Sequence, residues 1–162
     1  MRNLRLSEWA NIAEIVASIV IVASLAYIGM ELNQNTQALQ QESYQTTVAT
    51  MIDLDIAEAT NEDLSRIVLL GMSSPGELTP GEWYIFVRVA YARFAVWEYV
   101  FLSTRENAIS HLQWTALEPY FIDLSCSIGF NQFWTENKIG FSPEFASYFE
   151  TSSRLNCPEI YD

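Results

Sequence analysis

From Ile15 to Met30 the chain reads IVASIVIVASLAYIGM, sixteen residues without a charged side chain. As a helix this run rises roughly 24 Å. A bilayer core takes about 20 residues, so a span must borrow from the WANIAE segment before it. A helix apolar on all sides has to be covered by lipid or by protein, and all-round hydrophobicity of this length favours lipid. Trp9 and Tyr27 then fall near opposite boundaries, where amphipathic rings prefer to lie. The expectation is a transmembrane anchor over residues 1–31 and a separate body over residues 32–162.

Two other readings compete for the same run. A secretory signal peptide also places basic residues before an apolar stretch, and Ser24-Leu25-Ala26 could pass for its small-residue cleavage site. Glu8 and Glu14 stand where such a peptide should be basic, which weighs against it. A buried core helix is the other rival. If the run is an anchor, Arg2 and Arg5 precede it and no Lys or Arg follows until Arg66, which predicts a cytoplasmic N-terminus and a body on the far side. In a Gram-negative bacterium that side is the periplasm.

The remaining chain is large enough for one helical domain and too small for two enzyme-sized ones. Eight Lys and Arg oppose twenty Asp and Glu, a net charge of -12. That charge repels phosphate backbones and argues against a nucleic-acid partner. Of the 22 Trp, Tyr and Phe residues, only Trp9 and Tyr27 lie in the apolar segment, so the body is aromatic-rich and foldable, with apolar surface to spare for a partner.

No Gly or Pro occurs between Gly29 and Gly71, so the first helix should run well past the bilayer. Thr60-Asn61-Glu62-Asp63 reads as a cap and acidic first turn of a short helix ending near Gly71. SSPGEL is a loop. Thr79-Pro80-Gly81-Glu82 supplies a capping Thr, a Pro preset for the first turn and a Glu to close a capping box, starting a helix that runs from about Glu82 to Thr104. Arg88, Arg93 and Glu98 would each cost about 2.5–3.5 kcal/mol at mid-membrane, so this apolar helix is expected at the centre of a bundle. Further helices are expected from about Gln113 to Cys126, from about Phe130 to Asn137, and from Ser142-Pro143-Glu144 to about Ser152. Nothing alternates as a strand would. The fold expected is all-α, an anchor continuing into a bundle of about four to five helices.

These elements resemble a family of uncharacterised bacterial membrane proteins that begin with a Trp and a Glu in a short apolar segment and leave it through a Tyr-containing stretch into an Asn-Thr pair. The matching residues are Trp9, Glu14, Ser24-Leu25-Ala26-Tyr27-Ile28-Gly29 and Asn35-Thr36 with the following Gln-Ala-Leu. Further similarity lies in Leu64–Gly71, Trp97-Glu98, Phe133-Trp134 and Phe141-Ser142-Pro143-Glu144-Phe145. The resemblance implies an N-terminal anchor and a helical body, and carries no known activity or site residue. Members usually have a more basic second half, and Cys126 and Cys157 depart from the pattern.

Several groups of residues invite a functional reading. Glu14 is an ionisable group in a spanning segment and shares a stripe with Ser7, Asn11 and Ser18, so several copies could gather their polar faces. Its plainer role is an interfacial Glu that reaches the headgroups or bonds Asn11. Ala10, Ala13, Ala17 and Ser24 form a small-residue stripe that lets helices approach, or ordinary lipid-facing composition. Leu25, Leu32 and Leu39 recur every seven residues as a narrow packing seam. The amides Asn33, Gln34, Asn35, Gln37, Gln40 and Gln41 could line a wet vestibule, although such a run is more often a solvated face.

In the body, Arg88, Arg93 and Glu98 are candidate buried charges that need partners on other helices or subunits, structural pairing being favoured over catalysis. Arg93 could also stack on Trp97, four residues on. Cys126 and Cys157 are a candidate disulfide if the body faces an oxidising compartment. His111 reads as a helix-start or surface residue. No Gly-rich phosphate loop, Gly-x-Ser-x-Gly or His-Glu-x-x-His occurs, and nothing calls for a metal or cofactor.

The expected role is therefore non-enzymatic: a membrane-anchored interaction module, either a self-associating scaffold or an accessory subunit of a membrane complex. Its partners would be lipid, further copies or another membrane protein. The alternatives are an oligomeric ion pathway lined by Glu14 and the amide segment, and a periplasmic enzyme or ligand-binding sensor.

Overall fold

The computed structural model describes residues 6–157, with side chains for all of these except 6, 7 and 154. Arg2 and Arg5, on which the orientation argument rests, and the Ser7 side chain lie outside that description. Six α-helices follow in order: α1 Leu6–Ala59, α2 Glu62–Ser73, α3 Pro80–Arg105, α4 His111–Ser125, α5 Ile128–Asn137 and α6 Pro143–Asn156. Short 3-10 turns occupy Pro75–Glu77 and Lys138–Gly140, and no strand occurs among the described residues. The protein is all-α. The chain divides into two compact units, Met1–Leu39 and Gln40–Asp162.

Local chemistry sets most helix starts. Thr79 and Glu82 form a reciprocal capping box with Pro80 in the first turn of α3, as the sequence predicts. Ser110 and Gln113 form a second box before α4, and Ser127 and Ser142 cap α5 and α6. These caps start α4 and α5 two residues earlier than expected, because the Ser side chain satisfies the first free backbone N–H groups.

The core of the second unit is built on α3. Phe86, Ala90, Phe94, Trp97 and Val100 are buried along one stripe at spacings of three and four. Phe94 stacks on Trp134 at 5.4 Å and meets the edge of Phe149 at 5.2 Å. Trp97 stacks on Phe121 at 5.2 Å and meets Phe149 edge-on at 5.2 Å. Each such pair contributes about 0.5–1.5 kcal/mol beyond the area it buries. The rest of α3 is apolar without being covered: Tyr84, Ile85 and Tyr99 are exposed.

Gly71 does not end α2, which runs on to Ser73. Its role is close packing. A Cβ at Gly71 would sit 2.2 Å from the Phe86 ring, and one on Gly129 of α5 would sit 1.9 Å from the Gly71 carbonyl oxygen. The missing side chains let α2 and α5 touch backbone to backbone.

Within the second unit, residues 40–59 of α1 seat one face on the body. Tyr44, Val48 and Met51 pack against the aromatic core and Thr47 is buried. Gln40 Nε2 donates to the Asn107 carbonyl. Asn107 adopts a left-handed φ of 59°, a conformation that Asn tolerates better than most residues.

Candidate functional site

In the first unit, α1 contains an 18-residue window with a mean hydropathy of 2.2, none of it buried by the rest of the chain. One helix, near the N-terminus, is thus long and apolar enough to cross a membrane, and its full exposure separates it from a core helix of the body. Trp9 and Tyr27, both exposed, are separated by roughly 27 Å of helical rise, close to a bilayer core.

Asn11, Glu14 and Ser18 lie on the surface of this helix, as do Ala10, Ala13, Ala17, Ser24, Leu25, Leu32 and Leu39. The hydroxyls are bonded within the helix: Ser18 Oγ donates to the Glu14 carbonyl at 2.8 Å, Ser24 Oγ to Val20 at 2.8 Å and Thr36 Oγ1 to Leu32 at 2.9 Å. A hydroxyl so bonded is tolerated in lipid without a partner helix. Of the amide run, Asn33, Gln34, Asn35, Gln37 and Gln41 are exposed, while Gln40 is half-buried.

In the second unit the strongest polar cluster centres on Arg93, the buried cation of α3. Its Nε and Nη2 donate to Glu58 Oε1 at 3.2 and 2.6 Å, and Nη2 also reaches Asp55 Oδ1 at 3.1 Å. Nη1 donates to the Tyr120 hydroxyl, which donates in turn to Asp55 Oδ1 at 3.2 Å. Asp55 and Glu58 stand three apart on α1 and therefore share a face.

Burial disfavours the Arg93 charge, but the Glu58 hydrogen bond and the surrounding negative groups outweigh it and raise its pKa. Burial also raises the Tyr120 phenol above its ordinary value, with Asp55 adding to the effect and Arg93 opposing it. All three guanidinium nitrogens are engaged, so the cluster acts as a clamp among α1, α3 and α4. It is a charge-assisted network rather than a poised acid or base.

The other charge expectations divide. Glu98 is half-buried and accepts from the Ser142 backbone N–H at 2.6 Å, tying α3 to the start of α6. Arg88 is not buried: it is exposed on α3, with its guanidinium 5.3 Å from the Tyr84 ring centre and 4.8 Å from that of Tyr91. It falls on the opposite side of the helix from the Phe86–Ala90–Phe94 stripe and needs no buried partner. The guanidinium of Arg93 goes to the acids and Tyr120 instead of to Trp97, and the described cations that do lie over rings are Arg88 and Arg105.

Cys126 and Cys157 are joined as a disulfide, 31 residues apart, linking the end of α4 to the end of α6. His111 is the exposed first residue of α4. Between α1 and α3 lies a groove of about 270 Å³, lined by Thr46, Thr47, Thr50, Ala95, Val96 and Tyr99. The Thr47 and Thr50 hydroxyls donate to carbonyls of their own helix, so the groove offers mainly apolar contact.

Compared with protein-family models, with curated proteins and with solved structures, the chain matches none. Local sequence patterns do not reveal Asp55, Glu58 and Tyr120 as the partners of Arg93. The available signal was two acids at helical spacing on a polar segment, needing a cation elsewhere.

Proposed function

We propose that the protein is a membrane-anchored helical interaction module, a self-associating scaffold or an accessory subunit of a membrane complex. The carrying observation is the exposed apolar window of α1 in a helix that continues to Ala59. Such a window is stable only in lipid or against other chains. In support, most of the body's aromatic residues are taken up in packing, Tyr84 and Tyr99 being left exposed, and its strongest polar cluster ties helices together. What is left for function is surface.

The disulfide favours an oxidising compartment for the body. That agrees with a cytoplasmic N-terminus set by Arg2 and Arg5 and a periplasmic body in a bacterial inner membrane. The test is gentle extraction of the native membrane into lipid discs, mass photometry, and identification of every co-purifying chain. A stoichiometric complex, of identical or different chains, is the expected result. A bare monomer with no partner overturns the proposal.

A further inference from the structure

We infer that the outward face of α3 docks an amphipathic helix of another subunit, one that carries an Asp or Glu within its apolar stripe to meet Arg88. The inference rests on the interaction role proposed above and adds the surface used and the chemistry of its partner. Tyr84, Arg88, Ala95 and Tyr99 follow one another at helical spacing on the side of α3 opposite the Phe86–Ala90–Phe94 stripe, with Ile85 beside them. All five are exposed, Tyr84 by 63% and Tyr99 by 49%. From Tyr84 to Tyr99 the face runs roughly 22 Å, and Arg88 is the one charged residue exposed along it.

Its chemistry sets this face apart from the others of the body. α5 presents Gln132, Thr135 and Glu136 to solvent and α6 presents Glu144, Ser147 and Thr151, the polar residues that a solvated helix carries. The α3 face presents Tyr, Ile, Ala and Arg instead, and Tyr and Arg are enriched where proteins bind one another. Alongside it runs the apolar groove of about 270 Å³ between α1 and α3, to which Ala95 and Tyr99 belong. A straight face with a groove at its flank receives the side-chain ridge of a second helix.

Charge selects the partner. Among the exposed cations described in the body, Arg66 pairs with Glu82, Arg105 with Glu144 at 4.0 Å and Lys138 with Glu150 at 2.8 Å. No described carboxylate forms an ion pair with Arg88, although acids outnumber bases twenty to eight in this chain. Its guanidinium stays within reach of the Tyr84 and Tyr91 rings, at 5.3 and 4.8 Å, which holds the charge on the apolar face. A carboxylate arriving there gains charge-assisted hydrogen bonds, and the surrounding apolar contact keeps water from them. A second copy fits less well. A two-fold contact centred on this face sets Arg88 against its own counterpart, and two chains of net charge -12 repel each other.

The full chain with p-benzoylphenylalanine in place of Tyr84 or Tyr99, and separately in place of Leu112 or Leu155, tests this by photo-cross-linking in native membranes. Leu112 and Leu155 are exposed on α4 and α6 and serve as controls. Peptide mapping of the adducts from positions 84 and 99 is expected to find one segment of another protein, with apolar residues at helical spacing and an Asp or Glu among them. Positions 112 and 155 should not give that adduct. Arg88→Glu should lower the yield about tenfold or more with the helical circular dichroism unchanged, and exchanging the mapped acid for Arg should restore it. That rescue separates a lost ion pair from a misfolded body. An adduct on lipid or on a second copy, equal yields at the controls, no adduct, indifference to Arg88→Glu, or a failed rescue overturns the docking face. A stoichiometric complex recovered without these cross-links leaves the interaction role standing. A bare monomer overturns both.

Discussion

Arg93 of α3 grips Glu58 of α1 through two guanidinium nitrogens, at 3.2 and 2.6 Å, with Arg93 8% and Glu58 16% exposed. Both ends are shielded from water, so the pair differs from the exposed Lys138–Glu150 bridge at 2.8 Å, whose contribution falls in the range of about 0–1 kcal/mol. Arg93→Met should destabilise the body by about 2–4 kcal/mol, because it leaves Glu58 and the Tyr120 hydroxyl without their donor. Arg93→Lys should recover only part of this, since an ammonium cannot reproduce the fork. Urea unfolding followed by tryptophan fluorescence measures both.

Gly71 and Gly129 are where α2 and α5 touch, and neither has room for a methyl group. Gly129→Ala should destabilise by about 1–3 kcal/mol or more, since the carbonyl it meets belongs to a helix and cannot swing aside. Gly81→Ala is the matched control. A Cβ there meets nothing within 4 Å, so the change should be neutral or stabilising by up to about 1 kcal/mol. Thermal melts of the two variants should move apart.

The helix starts show how much of this fold was legible. Thr79-Pro80-Gly81-Glu82 and Ser142-Pro143 were readable because a cap is chemistry among residues three apart. Ser110 with Gln113 was equally local and was overlooked. The end of α2 near Gly71 was legible to within two residues, but the packing role of Gly71 was not, because its reason is Gly129, 58 positions away in the chain, and no local pattern carries that contact. Arg88 was misjudged because α3 is apolar nearly all round, which hides which face is inside. Arg93 was recognised as a charge in need of a partner, but naming Glu58 required knowing that α1 doubles as a wall of the bundle.

Glu82 accepts from Arg66 and from Thr79, and these bonds hold its carboxyl down at about 2. An unfolded Glu titrates near about 4.3. Because the folded value is the lower one, the stabilisation is complete above about pH 4.3 and is lost as pH falls through about 2. The melting temperature should therefore fall with acid more steeply in the native chain than in Glu82→Gln, and the two curves should converge below about pH 2. Parallel curves over that range would disprove the coupling.

The Cys126–Cys157 bond closes a 31-residue separation, a loop for which cross-linking contributes about 3–4 kcal/mol. Cys126→Ser with Cys157→Ser should lower stability by that amount, and reductant should do the same to the native chain and nothing to the variant. Paired urea titrations with and without reductant provide the check.

We propose that the apolar part of α1 stays in the membrane and that the body lies on the oxidising side. One experiment tests both halves: Gln37→Cys, exposed just beyond the apolar run, treated in intact spheroplasts with a membrane-impermeant maleimide, followed by alkaline extraction and intact-mass analysis of the pellet. Labelled, full-length protein that resists extraction is the expected result. Labelling only after lysis, release into the supernatant, or a mass lacking the apolar segment would contradict it.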